Sequence, residues 1–381
     1  MYVYKKKIYT LIFSVIDTIG NIFKLLAGLF CREKNFVSKR ILIIRIDHIG
    51  DVVTAMSVLE PMRKALPNAE IDIMVPSWAK NILSGNSDIS SIIKFDPPWF
   101  GRKPYGFRML LRAWMTMKDL IRNGKYDTVI DLRGDVRHIA AIIFSGAGKR
   151  IGYGITGGGF LLTHDMDYDP HLHETDKNML LLEPLGVKGP ACSPDIHISD
   201  QDMKKAEELK KIAQIKSRYA VIHAVPGHLD KRWTVEGFSE IIKYILNKHG
   251  LKAVMVGSED DHLYISKIID LTEIDIINVS GKTNIGILSH VLRGADLFVG
   301  IDSGPSHIAG AMSVPSVILF SGVNNPGQWA PRSSKVKVIY PGKGKSLTNI
   351  LSEEVTKAID EVLEQGGACS AGTSSLNNTN T

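Results

Sequence analysis

Short runs of β-branched and other apolar residues recur along this chain, separated by stretches with the period of an amphipathic helix. The runs cover residues 41–46, 71–75, 92–95 and 128–132, then 219–223, 252–256, 276–279, 297–301, 316–320 and 336–339. Runs that are apolar at nearly every position suit strands buried on both faces, the condition of a parallel sheet. Helical periodicity at residues 52–66, 106–123, 234–249, 261–271 and 285–294 supplies the crossovers that parallel strands need. The expected fold class is therefore α/β, with two Rossmann-like, doubly wound domains at 40–188 and 201–365. A length of 381 residues suits two domains, and the glycines and prolines near 189–200 mark their linker. Residues 150–154 and the glycine run 157–159 are expected in loops, and the polar tail 366–381 has too little to bury and is expected to be disordered.

The first 39 residues follow a different rhythm. Lys5, Lys6 and Lys7 precede an apolar stretch at 8–30, and Arg32, Lys34, Lys39 and Arg40 follow it. Within it Thr10, Ser14, Asp17, Asn21 and Lys24 recur every three or four residues, one polar stripe on a helix. Basic flanks and a polar stripe predict a helix lying in an anionic membrane interface. A helix packed on the protein's own surface is the alternative, and a membrane span is a third reading. The net charge of +6 also calls for an anionic partner. No arginine-rich helix with interleaved aromatics is present, so a phosphorylated substrate or membrane is expected and nucleic acid is not. The three cysteines share no ligand spacing, which fits a reducing cytoplasm, with neither disulfides nor zinc.

Chemistry-bearing residues cluster where strands end. Asp51 opens a helix after the first strand, where the helix dipole favours a carboxylate; it is a candidate general base, or it caps its own helix. The loop 223–233 carries Gly227 and ends in Lys231, Arg232 and Trp233, a pattern suited to a diphosphate. Glu259, in the sequence Gly-Ser-Glu-Asp, is placed for a ribose diol. The stretch 296–312, DLFVGIDSGPSHIAGAM, turns a strand into a helix at Asp302, Ser303 and Gly304, with His307 in the first turn. A helix start of this kind is an anion site, or an ordinary strand–helix corner with a good cap. Arg133 and Arg137 follow the fourth strand and suit a phosphorylated or carboxylated acceptor, or form a solvated basic face. The His and Asp residues at 164–173 resemble a metal cluster but sit in a polar loop, and no metal is expected there. No dinucleotide fingerprint follows the first strand, no Walker loop appears at a strand end, and Gly-x-Ser-x-Gly is missing.

Five segments together, ILIIRIDHIGDVV at 41–53, IDLRGD at 130–135, KRW at 231–233, GSED at 257–260 and 296–312, resemble glycosyltransferase family 9. This is the heptosyltransferase family of lipopolysaccharide core assembly, and the resemblance spans roughly residues 40–332. It implies a GT-B fold, with the two domains facing a central cleft, and metal-independent, inverting transfer without a cofactor. The implied donor is ADP-heptose or a related nucleotide sugar, and the implied acceptor a phosphorylated lipid or oligosaccharide. By position Asp51 matches the family's base, Lys231 its donor-phosphate lysine and Glu259 its ribose carboxylate. Asp302, Ser303, Gly304 and His307 match its diphosphate-binding helix start. The implied location is the inner face of a bacterial cytoplasmic membrane. A nucleotide-sugar epimerase and a non-catalytic nucleotide-sugar-binding protein are the competing readings.

Overall fold

A computed structural model describes residues 7–28, 36–100, 104–216, 218–225 and 231–371. The chain divides into two compact units, one of Met1–Lys80 with Asn86–Cys192, the other of Asn81–Gly85 with Ser193–Thr381.

The first unit carries β1 (Arg40–Ile44), β2 (Glu70–Val75), β3 (Ser91–Lys94), β4 (Thr128–Asp131), β5 (Lys149–Gly152) and β6 (His164–Asp165). Its helices are α1 (Lys7–Gly28), α2 (Ile49–Met56), α3 (Leu59–Ala65), α4 (Lys80–Leu83), α5 (Phe107–Asn123), α6 (Val136–Ile142) and α7 (Glu174–Leu180), of which α4 passes into the second unit. The second unit carries β7 (Tyr219–His223), β8 (Lys252–Met255), β9 (Ile277–Asn278), β10 (Leu297–Ile301), β11 (Ser316–Leu319) and β12 (Val336–Ile339). Around them lie α8 (Asp200–Ile212), α9 (Val235–His249), α10 (His262–Thr272), α11 (Ile285–Arg293), α12 (Gly304–Ala311), α13 (Pro326–Trp329) and α14 (Ser352–Ala371).

Both sheets are wholly parallel, ordered β3-β2-β1-β4-β5-β6 and β9-β8-β7-β10-β11-β12. Each is the 3-2-1-4-5-6 order of a Rossmann domain, whose direction reverses between the first and fourth strands. In each unit the two strands at that reversal are buried along almost their whole length. Val221, Ile222, Leu297 and Val299 show why the runs read as continuous: the sheet is covered on both faces, so no position alternates outward.

Three expectations are corrected. The helix expected at 52–66 is two helices. Pro61 has no N–H for the carbonyl of Ser57, which accepts instead from Cys192 N–H at 3.0 Å, so α2 ends and α3 begins anew. Residues 150–154 were expected in a loop, yet 149–152 form β5, a strand with one large apolar residue that its neighbours in the sheet hold in register. Gly366, where the polar tail was expected to begin, lies within α14, which continues to Ala371; the rest of the tail is outside the described residues.

Candidate active site

The first unit brings a charge network to the carboxyl ends of β1 and β4, at the reversal point. His48 occupies the N-cap of α2, and Asp51 lies in the first turn. The Asp51 carboxylate does not cap that helix: it accepts a 2.9 Å hydrogen bond from Arg45 Nη2. Arg45 is itself buried; its Nη1 donates to the carbonyl of Leu132, and its Nη2 lies 3.6 Å from Asp47. Burial opposes the charge on Arg45, but the carboxylates of Asp47, Asp51 and Glu174 outweigh it and raise its pKa. The Asp51 side chain is only 16% exposed. Burial, reinforced by the charge of Asp47 against the pull of Arg45, pushes Asp51 up to about 7. A carboxyl group so placed can give and take a proton near neutral pH.

Arg133 and Arg137 are both fixed. Arg133 bonds Asp47 at 2.5 Å and the carbonyl of Ile46 at 3.1 Å, while its guanidinium lies over Phe100. Arg137 is clasped by Asp135, the N-cap of α6, and lies over Trp99. Burial alone would raise Asp135, but the hydrogen bonds and charge of Arg137, with His138, bring it down to about 2. The backbone between these arginines turns at Gly134, whose φ of +73° and close approach to the Tyr153 carbonyl leave no room for a Cβ. Asp131 fixes that turn by accepting from the N–H groups of Gly134 and Asp135, and its other oxygen holds the buried His138 ring at 3.0 Å. Both arginines keep about a third of their side chains open to solvent.

Several residues here gave no signal on their own in the sequence. Arg45 and Asp47 sit inside a motif read only for Asp51. Lys177, fully buried, bonds Glu174 at 2.7 Å and stacks on Tyr168, which places a third carboxylate near Arg45 on α7. Trp99 and Phe100 lie in a short 3-10 turn, Pro98–Phe100, after an edge strand. Their visible sign was a Pro-Pro-Trp-Phe run at a strand's carboxyl end.

In the second unit the reversal lies between β7 and β10, and the expected residues flank it. Trp233 is buried and donates to the carbonyl of Ile350 at 3.0 Å, anchoring the chain just before α9. Two residues earlier Lys231 is held by Asp302, Nζ to Oδ2 at 2.7 Å, and Asn324 donates to the same oxygen at 2.5 Å. Asp302 therefore positions the lysine at the start of α12. Residues 226–230 of the expected diphosphate loop, Gly227 among them, lie outside the described residues. Ser303 takes the N-cap position of α12; its N–H donates to Ser306 Oγ, and its hydroxyl lies 3.1 Å from His223 Nδ1. Burial pulls His223 down to about 4, so this imidazole is neutral at physiological pH. Gly304 and Pro305 open the helix, and His307 is buried one turn in. Glu259 is exposed on the loop after β8, the strand beside β7; it shares that sheet edge but bonds neither Lys231 nor Asp302.

The polar residues at 164–173 have structural employment. Asp165 accepts from Gly154 N–H at 2.7 Å, and His173 caps α7. Among the described residues no group of three His, Cys, Asp or Glu side chains is arranged to hold a metal ion.

Two doubly wound units with charged groups at both reversal points match a known enzyme family in sequence. The model of glycosyltransferase family 9 (heptosyltransferase) matches residues 114–352. The chain belongs to that family. Among its relatives, the lipopolysaccharide core heptosyltransferase OpsX of Haemophilus influenzae is 26% identical over 309 residues, 79% of this chain and 84% of that protein. A solved family 9 glycosyl transferase from Veillonella parvula superposes with a TM-score of 0.76 at 24% identity, covering 88% of this chain and 99% of that one. E. coli ADP-heptose lps heptosyltransferase II gives 0.71 at 20% identity, covering 86% and 99%. This family 9 chain is a glycosyltransferase of the GT-B class, built from two Rossmann-like domains.

Proposed function

We propose that this family 9 enzyme moves a heptose or closely related sugar from a nucleotide-diphosphate donor, of the ADP-heptose type, to a lipopolysaccharide core or related lipid-linked glycan. The transfer inverts the anomeric centre and needs no metal ion. The observation that carries this reading is Asp51, a nearly buried carboxyl group with a pKa of about 7 at the reversal point of its sheet. The relative from H. influenzae named for lipopolysaccharide core and the E. coli structure named for ADP-heptose support the choice of substrates.

In this mechanism the acceptor hydroxyl attacks the anomeric carbon from the face opposite the diphosphate. The new carbon–oxygen bond forms as the bond to the phosphate oxygen breaks, its electron pair leaving with the nucleotide diphosphate. Asp51 takes the hydroxyl proton. Arg45 orients Asp51, and Arg133 and Arg137 receive acidic groups of the acceptor. Lys231, held by Asp302, and the α12 start at Ser303 and Gly304, with His307, take up the negative charge growing on the leaving group, where preorganised donors act most strongly. Glu259 binds the ribose hydroxyls.

The test is ADP release from ADP-heptose by the purified enzyme, with and without a lipid A–Kdo acceptor, in the presence of EDTA. Acceptor-dependent release that survives EDTA and is lost in Asp51→Asn is expected. Release that ignores the acceptor, or isomerisation of the donor, would overturn the reading.

A further inference from the structure

Helix α1 docks on the first unit the wrong way round for an ordinary amphipathic helix. Two residues of its polar stripe bind the protein: Asp17 is buried and accepts from Gly158 N–H at 2.8 Å, and Lys24 Nζ donates to the carbonyl of Leu162 at 2.7 Å. Between them Gly20 lies so close to the Phe160 ring that no Cβ fits. The opposite face is apolar and open: Val15, Ile16, Ile19 and Ile22 are exposed, with Phe23 67% and Leu25 72% exposed. A helix that docks through Asp17 and Lys24 and offers its large side chains to water leaves an apolar strip that water does not favour.

A second apolar patch belongs to the same scaffold. The turn Gly159–Leu161, on which α1 rests, packs on α6, and α6 packs on α5 and on the turn Ile143–Ser145. On α5, Phe107, Leu111 and Met115 recur every four residues and are exposed, Phe107 by 76%; Phe144 in the turn is 53% exposed. Beside that ridge stand Arg108 and Arg112, both exposed.

We propose that α1 is a fixed membrane-embedding element of the first unit. It docks on the protein through Asp17, Gly20 and Lys24 and enters an anionic bilayer interface with its apolar face; Phe107, Leu111 and Phe144 form a second point of insertion. Charge selects this occupant. Lysines at 5–7 and basic residues at 32, 34, 39 and 40 flank the helix in sequence, and Arg108 and Arg112 flank the second patch. Such basic flanking sequence complements anionic headgroups, whereas a second copy of the same segment would bring like charges together. No helix among the described residues is long and apolar enough to cross a membrane. With Asp17 and Lys24 tied to the protein, α1 lies along the surface.

The inference does not depend on the sugar transferred, and its test uses none. Full-length protein is sedimented with phosphatidylcholine vesicles and with vesicles containing phosphatidylglycerol. Binding to the anionic vesicles is expected, weakened by added salt and reduced at least about tenfold in Ile19→Ser/Phe23→Ser. Both positions are exposed, so circular dichroism should show the fold intact. Phe107→Ser/Leu111→Ser, in the second patch, should weaken binding severalfold. Unchanged binding of the Ile19/Phe23 variant, failure of the parent to bind anionic vesicles, or a parent dimer that this variant turns into a monomer would each overturn the proposal.

Discussion

Replacing Asp51 by Asn should cripple transfer and at the same time stabilise the fold at alkaline pH. The sign follows from the direction of the shift. Burial raises the folded-state pKa from 3.8 to about 7, so between those values the folded chain holds a proton that the unfolded chain has lost. Stability therefore falls as pH rises through this window, and the full cost is present above pH 7. A shift of roughly three units at 1.36 kcal/mol each sets that cost at about 4 kcal/mol. Asparagine keeps the shape without the charge, and Arg45 still has Asp47 beside it. Urea unfolding should thus find Asp51→Asn more stable than the parent, with a gap that grows by about 2–3 kcal/mol from pH 5 to pH 8. Transfer by the same variant should fall by about 10²–10⁴-fold. A variant less stable than the parent at pH 8, or a gap independent of pH, would refute the reasoning about burial. Full transfer by the variant would refute the role.

Other outcomes follow from the same network. The kcat/KM of the parent should decline below about pH 7 by a factor of ten per unit, as one group with the pKa of Asp51 must lose its proton; a flat profile from pH 5 to 8 would assign the base elsewhere. Lys231→Ala should lower kcat by about 10²–10³-fold, because the lysine acts on charge that develops during transfer; a change in KM alone would make it a binding group only. Trp233→Ala should cost about 3–5 kcal/mol in urea unfolding, as it empties a buried site and leaves the Ile350 carbonyl unpaired.

The sequence disclosed the architecture because both sheets are covered on both faces, and a buried parallel strand is a continuous apolar run. Ile41–Ile44 and Leu297–Ile301 are legible for that reason. The strand at 149–152 was not, since a Lys-Arg pair fills half of it and only its neighbours in the sheet make it a strand. The break between α2 and α3 depends on one missing N–H at Pro61, a local fact visible in sequence, but the compensating bond comes from Cys192, far along the chain. At the site the pattern was the same. Asp51, Lys231 and Asp302 stand at strand ends and could be named from their positions. What gives them their properties is contacts that position alone does not announce: Arg45 turning back to Asp51 within one motif, Lys231 and Asn324 converging from far along the chain on one oxygen of Asp302, and Trp99 and Phe100 lying under Arg137 and Arg133. The N-terminal helix was expected to offer lipid its apolar face or to pack on the protein. It packs through Asp17 and Lys24 of its polar stripe, and the apolar face remains outward.

The most direct test of the account is the product itself. Purified enzyme is incubated with ADP-heptose and a lipid A–Kdo acceptor, and the acceptor is recovered for mass spectrometry and proton NMR of its new anomeric centre. The account predicts an acceptor heavier by one heptose, linked with the configuration opposite to that of the donor. An acceptor of unchanged mass beside consumed donor, or a product that retains the donor's configuration, would contradict it.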